Sequence, residues 1–506
     1  MTKKSISRLL QASLMCCLAV LFTACDDIFA SEDNPIPAYL SMSDKPVTIK
    51  VGDTYRRKAI SVSSAVVEYT SSKTDVATVD NEGLVTAKAE GTTTITATAT
   101  GYSSQNGKKI YQPASVSYVV TVTPATVAVT GLTLNKANLR FGMNAPTAQA
   151  LIADVLPADA TDKTVTWTSS DTNVATVDAE GNVTPVAKGT TTITATAGDK
   201  TATSTVYIYD KIVDINTVSA NVIVTADESW LIEGDVTTSV SKSITIGAGA
   251  TVTLNGINIT KGIECLGDAT IILADGSTNT VNGDYYPVVK AGIVVGPSGT
   301  TLTIDAETAG DGKLNATGGT QSAGIGTSYS SGSDITCGAI TIKGGEITAT
   351  GGNGAAGIGT GLTIDKNNTC GAITINGGTV TATGDDSAAG IGTGYSFGYS
   401  APTNQTCGNI KINGGIVTAT GGIYAAGIGT GFSYSTGAVT SNECGAITIG
   451  TGVTKVTATK GEDSPNSIGV GDKFGGTQTC GTITIGGVVK AQSDFTGATY
   501  TYPTAP

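Results

Sequence analysis

From about Gly299 to Gly486, apolar and polar positions alternate in short runs broken by glycine, and the runs recur. One copy reads Cys337-Gly-Ala-Ile-Thr-Ile-Lys-Gly-Gly-Glu-Ile-Thr-Ala-Thr-Gly-Gly, and shortly after it comes Ala355-Ala-Gly-Ile-Gly-Thr-Gly361. Further copies start at Cys370, Cys407, Cys444 and Cys480, at steps of 33, 37, 37 and 36 residues, and a cysteine-less copy precedes them. Within a copy, residues 338–343, 346–350 and 356–360 each alternate with period two, and glycine pairs punctuate them. That pattern predicts strands and corners. Helix is disfavoured, because each glycine costs a helix about 1 kcal/mol relative to alanine.

Three strands and three corners per repeat describe one coil of a parallel β-helix, expected to be right-handed. Stacked coils place equivalent residues about 4.8 Å apart. Ile340, Ile373, Ile410, Ile447 and Ile483 then form one inward ladder. Ile347, Val380, Val417 and Val456 form a second, and Ile358, Ile391, Ile428 and Ile468 a third. Length varies mainly between the Gly-Ile-Gly-Thr-Gly unit and the next cysteine, so insertions should project from one edge. Before these coils, Ser243–Ile246, Thr251–Leu254, Ile257–Ile259 and Thr270–Leu273 read as less regular opening coils, with Asn255-Gly256, Asp275-Gly276 and Asn282-Gly283 as corners. The solenoid is placed at 211–506, with about eight coils and a height of about 40 Å.

A different repeat lies upstream. Tyr69-Thr-Ser-Ser, Val76-Ala-Thr-Val-Asp80, Gly83 and Gly91-Thr-Thr-Thr-Ile-Thr-Ala-Thr98 return 98 residues later, starting from Trp167-Thr-Ser-Ser. Short alternating strands between turn signals predict β-sandwiches at 40–123 and 127–209. These stretches resemble the bacterial immunoglobulin-like domain, group 2, which implies a spacer or adhesion module; Tyr69 replaces the tryptophan in the first copy. The expected fold class is all-β: two immunoglobulin-like β-sandwiches followed by a parallel β-helix solenoid. In the opening coils, Val252–Ile259 and Ala269–Val281 resemble the carbohydrate-binding β-helix family of cellulosome-producing clostridia. That resemblance implies binding of cellulose-like or acidic polysaccharide and a capacity to hold calcium.

Residues 1–24 read as a lipoprotein signal peptide: Lys3, Lys4 and Arg8 precede an apolar run, Leu9–Phe22, too short for a comfortable membrane span. Leu21-Phe-Thr-Ala-Cys25 resembles a lipobox, which implies lipidation of Cys25. Asp26-Asp27 resembles the surface-export signal of Bacteroidetes lipoproteins. The blander reading is an ordinary cleaved signal. Residues 25–39 read as a tether, and the expected location is the outer membrane, at the cell surface, with the lipid as the only membrane contact.

Charge and composition narrow the chemistry. The net charge of −12 disfavours nucleic acid. There is no histidine, and the arginines Arg8, Arg56, Arg57 and Arg140 all precede the β-helix. Histidine-based acid–base chemistry, histidine–metal sites and histidine-paired nucleophiles are therefore excluded. A carboxylate-pair glycosidase would have to use Asp385-Asp386 or Glu462-Asp463, which read as solvated corners. No enzyme is expected, and no cofactor is required.

The remaining candidates are binding groups. Tyr329, Tyr395, Phe397, Tyr399, Phe432 and Tyr434 follow the Gly-Ile-Gly-Thr units and would gather at one edge, where rings can meet the apolar faces of sugars. The plain alternative is that these rings pin their own loops. Asp334, Asp365, Asn367, Asn442 and Glu443 carry oxygens that could hold calcium, although they follow no fixed spacing. Asn368, Gln405, Asn442 and Gln478, each two residues before a cysteine, read as a structural amide ladder. The cysteine row reads as small buried hydrophobes, with partial disulfides and metal as alternatives. Paired Thr-Ala-Thr rows resemble those of ice-binding β-helices, but threonine is also simply a good strand former. The expected function is binding of polysaccharide or host glycan for adhesion or nutrient capture, with a structural or protein-binding adhesin as the runner-up.

Overall fold

The structure, a computed structural model, describes residues 36–37, 40–61, 66–100, 111–284, 289–307, 310–437 and 440–503. The signal segment, Cys25 and most of the tether lie outside the described residues. The described chain is built from strands and turns, with one short 3-10 helix at Gln492–Phe495. It packs as two compact units. One holds the first sandwich with residues 154–165 and 196–201; the other holds most of the second sandwich together with the β-helix.

The two sandwiches share a plan. In the first, Val47–Lys50, Ala114–Thr123, Gly91–Ala99 and Val67–Ser71 form one sheet, and Thr54–Arg56, Leu84–Ala87 and Ala77–Val79 the other. Alternation along Gly91–Ala99 buries Thr93, Ile95, Ala97 and Ala99. Tyr69, at the position held by Trp167 in the second copy, accepts a hydrogen bond from the Ala59 N–H at 2.6 Å. The second sandwich repeats the arrangement around Leu139, Phe141, Leu151, Ile193, Val206 and Ile208.

From Lys211 the chain winds into parallel coils. Three long sheets carry the winding, with eleven, eight and nine strands. In the repeat beginning at Cys337, these faces are represented by Ala339–Ile342, Glu346–Thr350 and Ile358–Gly359. Adjacent coils pair residue for residue: Ile340 with Ile373, Ile347 with Val380, and Ile358 with Ile391. All three ladders are buried in one continuous core that runs from Val213 to Phe495. Nine strands on the third face mean nine coils there, one more than the sequence suggests, because the irregular opening coils contribute four strands to it.

The third face must be glycine-rich for a steric reason. Gly359 sits at φ 137°, and a Cβ placed there would collide with the carbonyl oxygen of Gly392 one coil on. Gly326, Gly392 and Gly429 face the same obstacle. Coils pack so closely on this side that no side chain fits between them.

The coils from 335 to 480 are not simple triangles. The segments after the Gly-Ile-Gly-Thr units form two more parallel sheets. One stacks Thr363–Ile364, Ser396–Gly398, Ser433–Ser435 and Lys473–Phe474. The other stacks Ile335–Thr336, Asn368–Cys370, Thr403–Cys407, Thr440–Cys444 and Thr477–Cys480. Each such coil has five strands rather than the three expected, and the projecting edge is a hydrogen-bonded wing.

The winding closes at its far end. Ile483–Ile485 turns back antiparallel onto Val488–Lys490, Phe495 plugs the core beside Ser467, and Thr499–Tyr502 lies antiparallel on Lys455–Thr459. Among the described residues, no helix is long and apolar enough to cross a membrane.

Candidate functional site

The wing holds most of the residues singled out for binding. Its strands alternate as strictly as those of the core. Ser330, Thr363, Ser396 and Ser433 point inward and are buried. The residue that follows each of them is more exposed. Register therefore builds one outward row from Ile364, Phe397, Tyr434 and Phe474.

The rings of this row lie on one another. Phe397 and Tyr434 stack at 5.1 Å between centroids with planes 2° apart, and Tyr434 and Phe474 at 5.1 Å and 16°. Tyr395 stacks on Phe432 at 5.7 Å, and Tyr424 lies tilted against Phe432 at 4.9 Å. Burial pushes the Tyr395 phenol up to about 12. Tyr434, between Phe397 and Phe474 in the row, is thus stacked by both, and Phe432 is in contact with Tyr395 and Tyr424. Tyr329 starts the edge and is half-buried, its N–H bonded to Ser322 Oγ at 3.0 Å.

Two rings differ. Phe474 is 60% exposed at the end of the row, and Tyr399 is 69% exposed. Tyr399 is held out by design of the loop beneath it. Asp365, in the preceding coil and at φ 51°, accepts from the backbone N–H of Tyr399 at 2.6 Å, of Ser400 at 2.8 Å and of Ala401 at 3.1 Å, and from Ser400 Oγ at 2.6 Å. The Ser400 hydroxyl and these N–H groups hold the Asp365 carboxyl well below the usual carboxylate range. Phe474 and Tyr424 were not among the rings read from sequence. The signal for Phe474 was its register with Phe397 and Tyr434, hidden by an uneven insertion.

The calcium candidates are committed elsewhere. Asp365 is occupied by the loop. Asp334 accepts from the N–H of Asn367 at 2.9 Å and from its amide at 3.0 Å, which lowers its carboxyl. Asn442 is fully buried, and Glu443 faces Ser441 Oγ at 3.2 Å. Among the described residues, no group of three or more acidic or cysteine side chains is placed to hold a metal. The acidic pair is also a corner: Asp386, at φ 34°, accepts from Asn353 Nδ2 at 3.0 Å, and Asp385 accepts from the Asp386 N–H.

The amide row is in register, but the amides do not bond to one another. They donate to main-chain carbonyls inside the wing: Gln405 to Tyr395 O at 2.7 Å and Gly361 O at 2.9 Å, and Asn442 to Phe432 O at 3.0 Å. Opposite them stand the threonines of the Gly-Ile-Gly-Thr units. Thr360 donates to Gln405 Oε1, and Thr430 to Gln478 Oε1, both at 2.5 Å. In the alternate coils the amide is asparagine, one methylene shorter. Asn368 Oδ1 and Asn442 Oδ1 are buried without a hydrogen-bond partner.

Elsewhere in the second unit, a cleft of about 500 Å³ is lined by Lys188, Tyr207, Tyr209, Ile272 and Glu307. Its acid is already engaged, since Glu307 is paired with Arg140 and accepts from the Asp275 N–H at 3.0 Å. On the second face, Thr348, Thr381, Thr418 and Thr457 stand in register, as do Thr350, Thr383, Thr420 and Thr459. Both rows continue onto the reversed strand as Thr501 and Thr499.

Comparison with known proteins agrees with the fold. Residues 40–110 and 143–206 match the bacterial Ig-like domain, group 2, and residues 310–329, 340–362, 373–395 and 410–432 match the beta helix repeat. The chain is 28% identical over 195 residues to ice-binding protein 1 of Shewanella frigidimarina, covering 38% of this chain and 20% of that protein. It is 31% identical over 180 residues to an uncharacterised protein of Clostridium acetobutylicum, covering 34% and 17%. It is 46% identical over 90 residues to a lacto-N-biosidase of Bifidobacterium bifidum, covering 18% and 8%. The chain thus spans a fifth or less of these relatives. Among solved structures, Drosophila N-cadherin EC1-4 is similar at 15% identity and a TM-score of 0.24, covering 35% of this chain and 49% of that one.

Proposed function

We propose that this protein, which joins Ig-like sandwiches to a β-helix as surface proteins do, binds an extended polysaccharide along the wing of its β-helix. The observation that carries this reading is Tyr399. An aromatic ring 69% exposed, on a loop fixed by four hydrogen bonds to one carboxylate, forfeits burial and is held in place before any ligand arrives. A sugar ring can stack on its free face, and Phe474 offers a second free face. Between them the wing repeats at coil spacing, a match for a polymer rather than for a single small molecule. The clostridial resemblance of the opening coils supports a polysaccharide. Anchoring through a lipid on Cys25, display at the outer-membrane surface and the absence of catalysis belong to the same proposal. Among the described residues of the wing, no two free carboxylates are paired for glycosidic chemistry.

The test is affinity electrophoresis of the full chain in gels containing cellulose-derived or polygalacturonate polymer, with and without calcium. Retardation that weakens at least about tenfold in Tyr399→Ala, with unchanged thermal unfolding, is expected if the ring contributes about 1.4 kcal/mol of contact. Retardation that survives Tyr399→Ala together with Phe474→Ala overturns the wing as the site. No retardation in either polymer overturns the polysaccharide reading in favour of a protein partner.

A further inference from the structure

The wing carries five cysteines, and the fold arranges them unusually. Cys370, Cys407, Cys444 and Cys480 pair in register on successive strands, and Cys337 continues the row, its Sγ 3.1 Å from Cys370 Sγ. All five are free thiols. Four are buried in the solenoid core, and Cys480 is partly exposed. Neighbouring α-carbons at the strand spacing of about 4.8 Å fall within the range a disulfide requires. Closing the bond needs the sulfurs to approach by about 1 Å.

We propose that this row is a thiol–disulfide relay, loaded at Cys480 by a low-molecular-weight disulfide or by the disulfide of an oxidoreductase, along which a disulfide migrates inward. Loading takes two steps. The Cys480 thiolate attacks the external disulfide, forming a mixed disulfide and releasing one external thiol. Cys444 then attacks Cys480 Sγ, forming Cys444–Cys480 and releasing the second. Two cysteine thiols are oxidised and one external disulfide is reduced to two thiols.

Migration needs no further oxidant. Cys407 attacks Cys444, the Cys407–Cys444 bond forms, and the electron pair of the broken bond leaves on Cys480, which takes up the proton. Cys370 and then Cys337 repeat the step. Exchange at sulfur proceeds in line, and a straight ladder sets attacking, central and leaving sulfurs in one row along the solenoid axis. Cys480 is suited to begin it: it is the accessible member, and a hydrogen bond from Cys444 lowers its thiol, while contact with Cys407, then with Cys480, and burial raise that of Cys444.

Five positions with neighbour-only pairing impose a parity rule. With two disulfides formed, the unpaired thiol can reside at Cys337, Cys407 or Cys480, never at Cys370 or Cys444. The test treats the folded full chain with oxidised glutathione, quenches with acid, alkylates in denaturant at low pH and maps each cysteine by mass spectrometry. Two disulfides lower the mass by about 4 Da. Among the five cysteines of the row, the expected result is label at Cys337, Cys407 and Cys480 only.

Cys407→Ala and Cys407→Ser, both folded by circular dichroism, should form Cys444–Cys480 but leave Cys337 and Cys370 reduced. In Cys480→Ser, oxidation of Cys337 should be lost over the time in which the native chain completes it. Five thiols persisting under saturating oxidised glutathione, label at Cys370 or Cys444, or a Cys337–Cys370 bond forming in the Cys407 variants at the native rate would each overturn the relay.

Discussion

The alternation of glutamine and asparagine inside the wing gives a prediction whose sign is unusual for a core substitution. At coils where the amide is Gln405 or Gln478, its oxygen accepts the hydroxyl of Thr360 or Thr430. At Asn442, whose side chain is one methylene shorter, the oxygen is fully buried and has no partner. Asn442→Gln supplies the missing methylene in a setting that already accommodates it on both neighbouring strands. Satisfying a buried acceptor removes a penalty of about 1–3 kcal/mol. The added methylene contributes about 0.8 kcal/mol on burial. The longer side chain gives back about 1 kcal/mol of rotamer freedom. The balance is a stabilisation of about 1–3 kcal/mol, which raises the apparent Tm by about 2–4 °C per kcal/mol in a domain of this class. The reciprocal change, Gln405→Asn, should lower it by a similar amount. Thermal unfolding by circular dichroism at one fixed scan rate measures both. If Asn442→Gln destabilises, or if both swaps shift Tm in the same direction, the account of the wing as a threonine-matched amide row fails.

Three further outcomes follow from the geometry. Asp365 is depressed in the folded state, so its stabilisation is complete above the ordinary Asp value of about 3.9 and is lost only as pH falls from there through the lower folded value. NMR of the Ser400 and Ala401 amides should therefore show the Tyr399 loop still docked at about pH 4, and release at the ordinary Asp midpoint would refute this. Cys265 lies in the core with its thiol pushed up to about 12 by burial, so it should resist iodoacetamide at pH 8 in the native chain while unfolded chain is labelled; native labelling at the unfolded rate would contradict that environment. Gly392→Ala should cost at least about 3 kcal/mol or prevent folding, because its Cβ meets the Gly429 carbonyl; a native-like Tm would show that the third face can spread.

Much of the fold was legible because the core repeats. Ile340, Ile373 and Ile410 announce a ladder at constant offset from each cysteine, and every one is buried. The sandwiches were legible through the 98-residue echo of Thr93 in Thr191, each of which accepts from the backbone N–H of the residue directly after its serine pair. The wing strands were not legible. They are two to five residues long, rich in Ser, Thr and Asn, and separated by insertions of unequal length, so no periodicity accumulates. The rings were visible as residues, but whether they offered faces or edges depended on register. Tyr434 could be matched to Phe397 by counting from a cysteine, but not to Phe474. The role of Asp365 was hidden for a similar reason: its partners lie in the next coil, 34 to 36 residues on.

The reversed strands that close the solenoid have a consequence for assembly. A stack of parallel coils is an unfinished crystal in one dimension, because its last rung is a template onto which another chain could add. Here Val488–Lys490 and Thr499–Tyr502 run against the winding, and Phe495 seals the bore. A second copy arriving at this end would meet strands pointing the wrong way to extend the parallel register. The threonine columns and the isoleucine ladders can therefore be as regular as any fibre while the molecule remains a bounded particle at this pole.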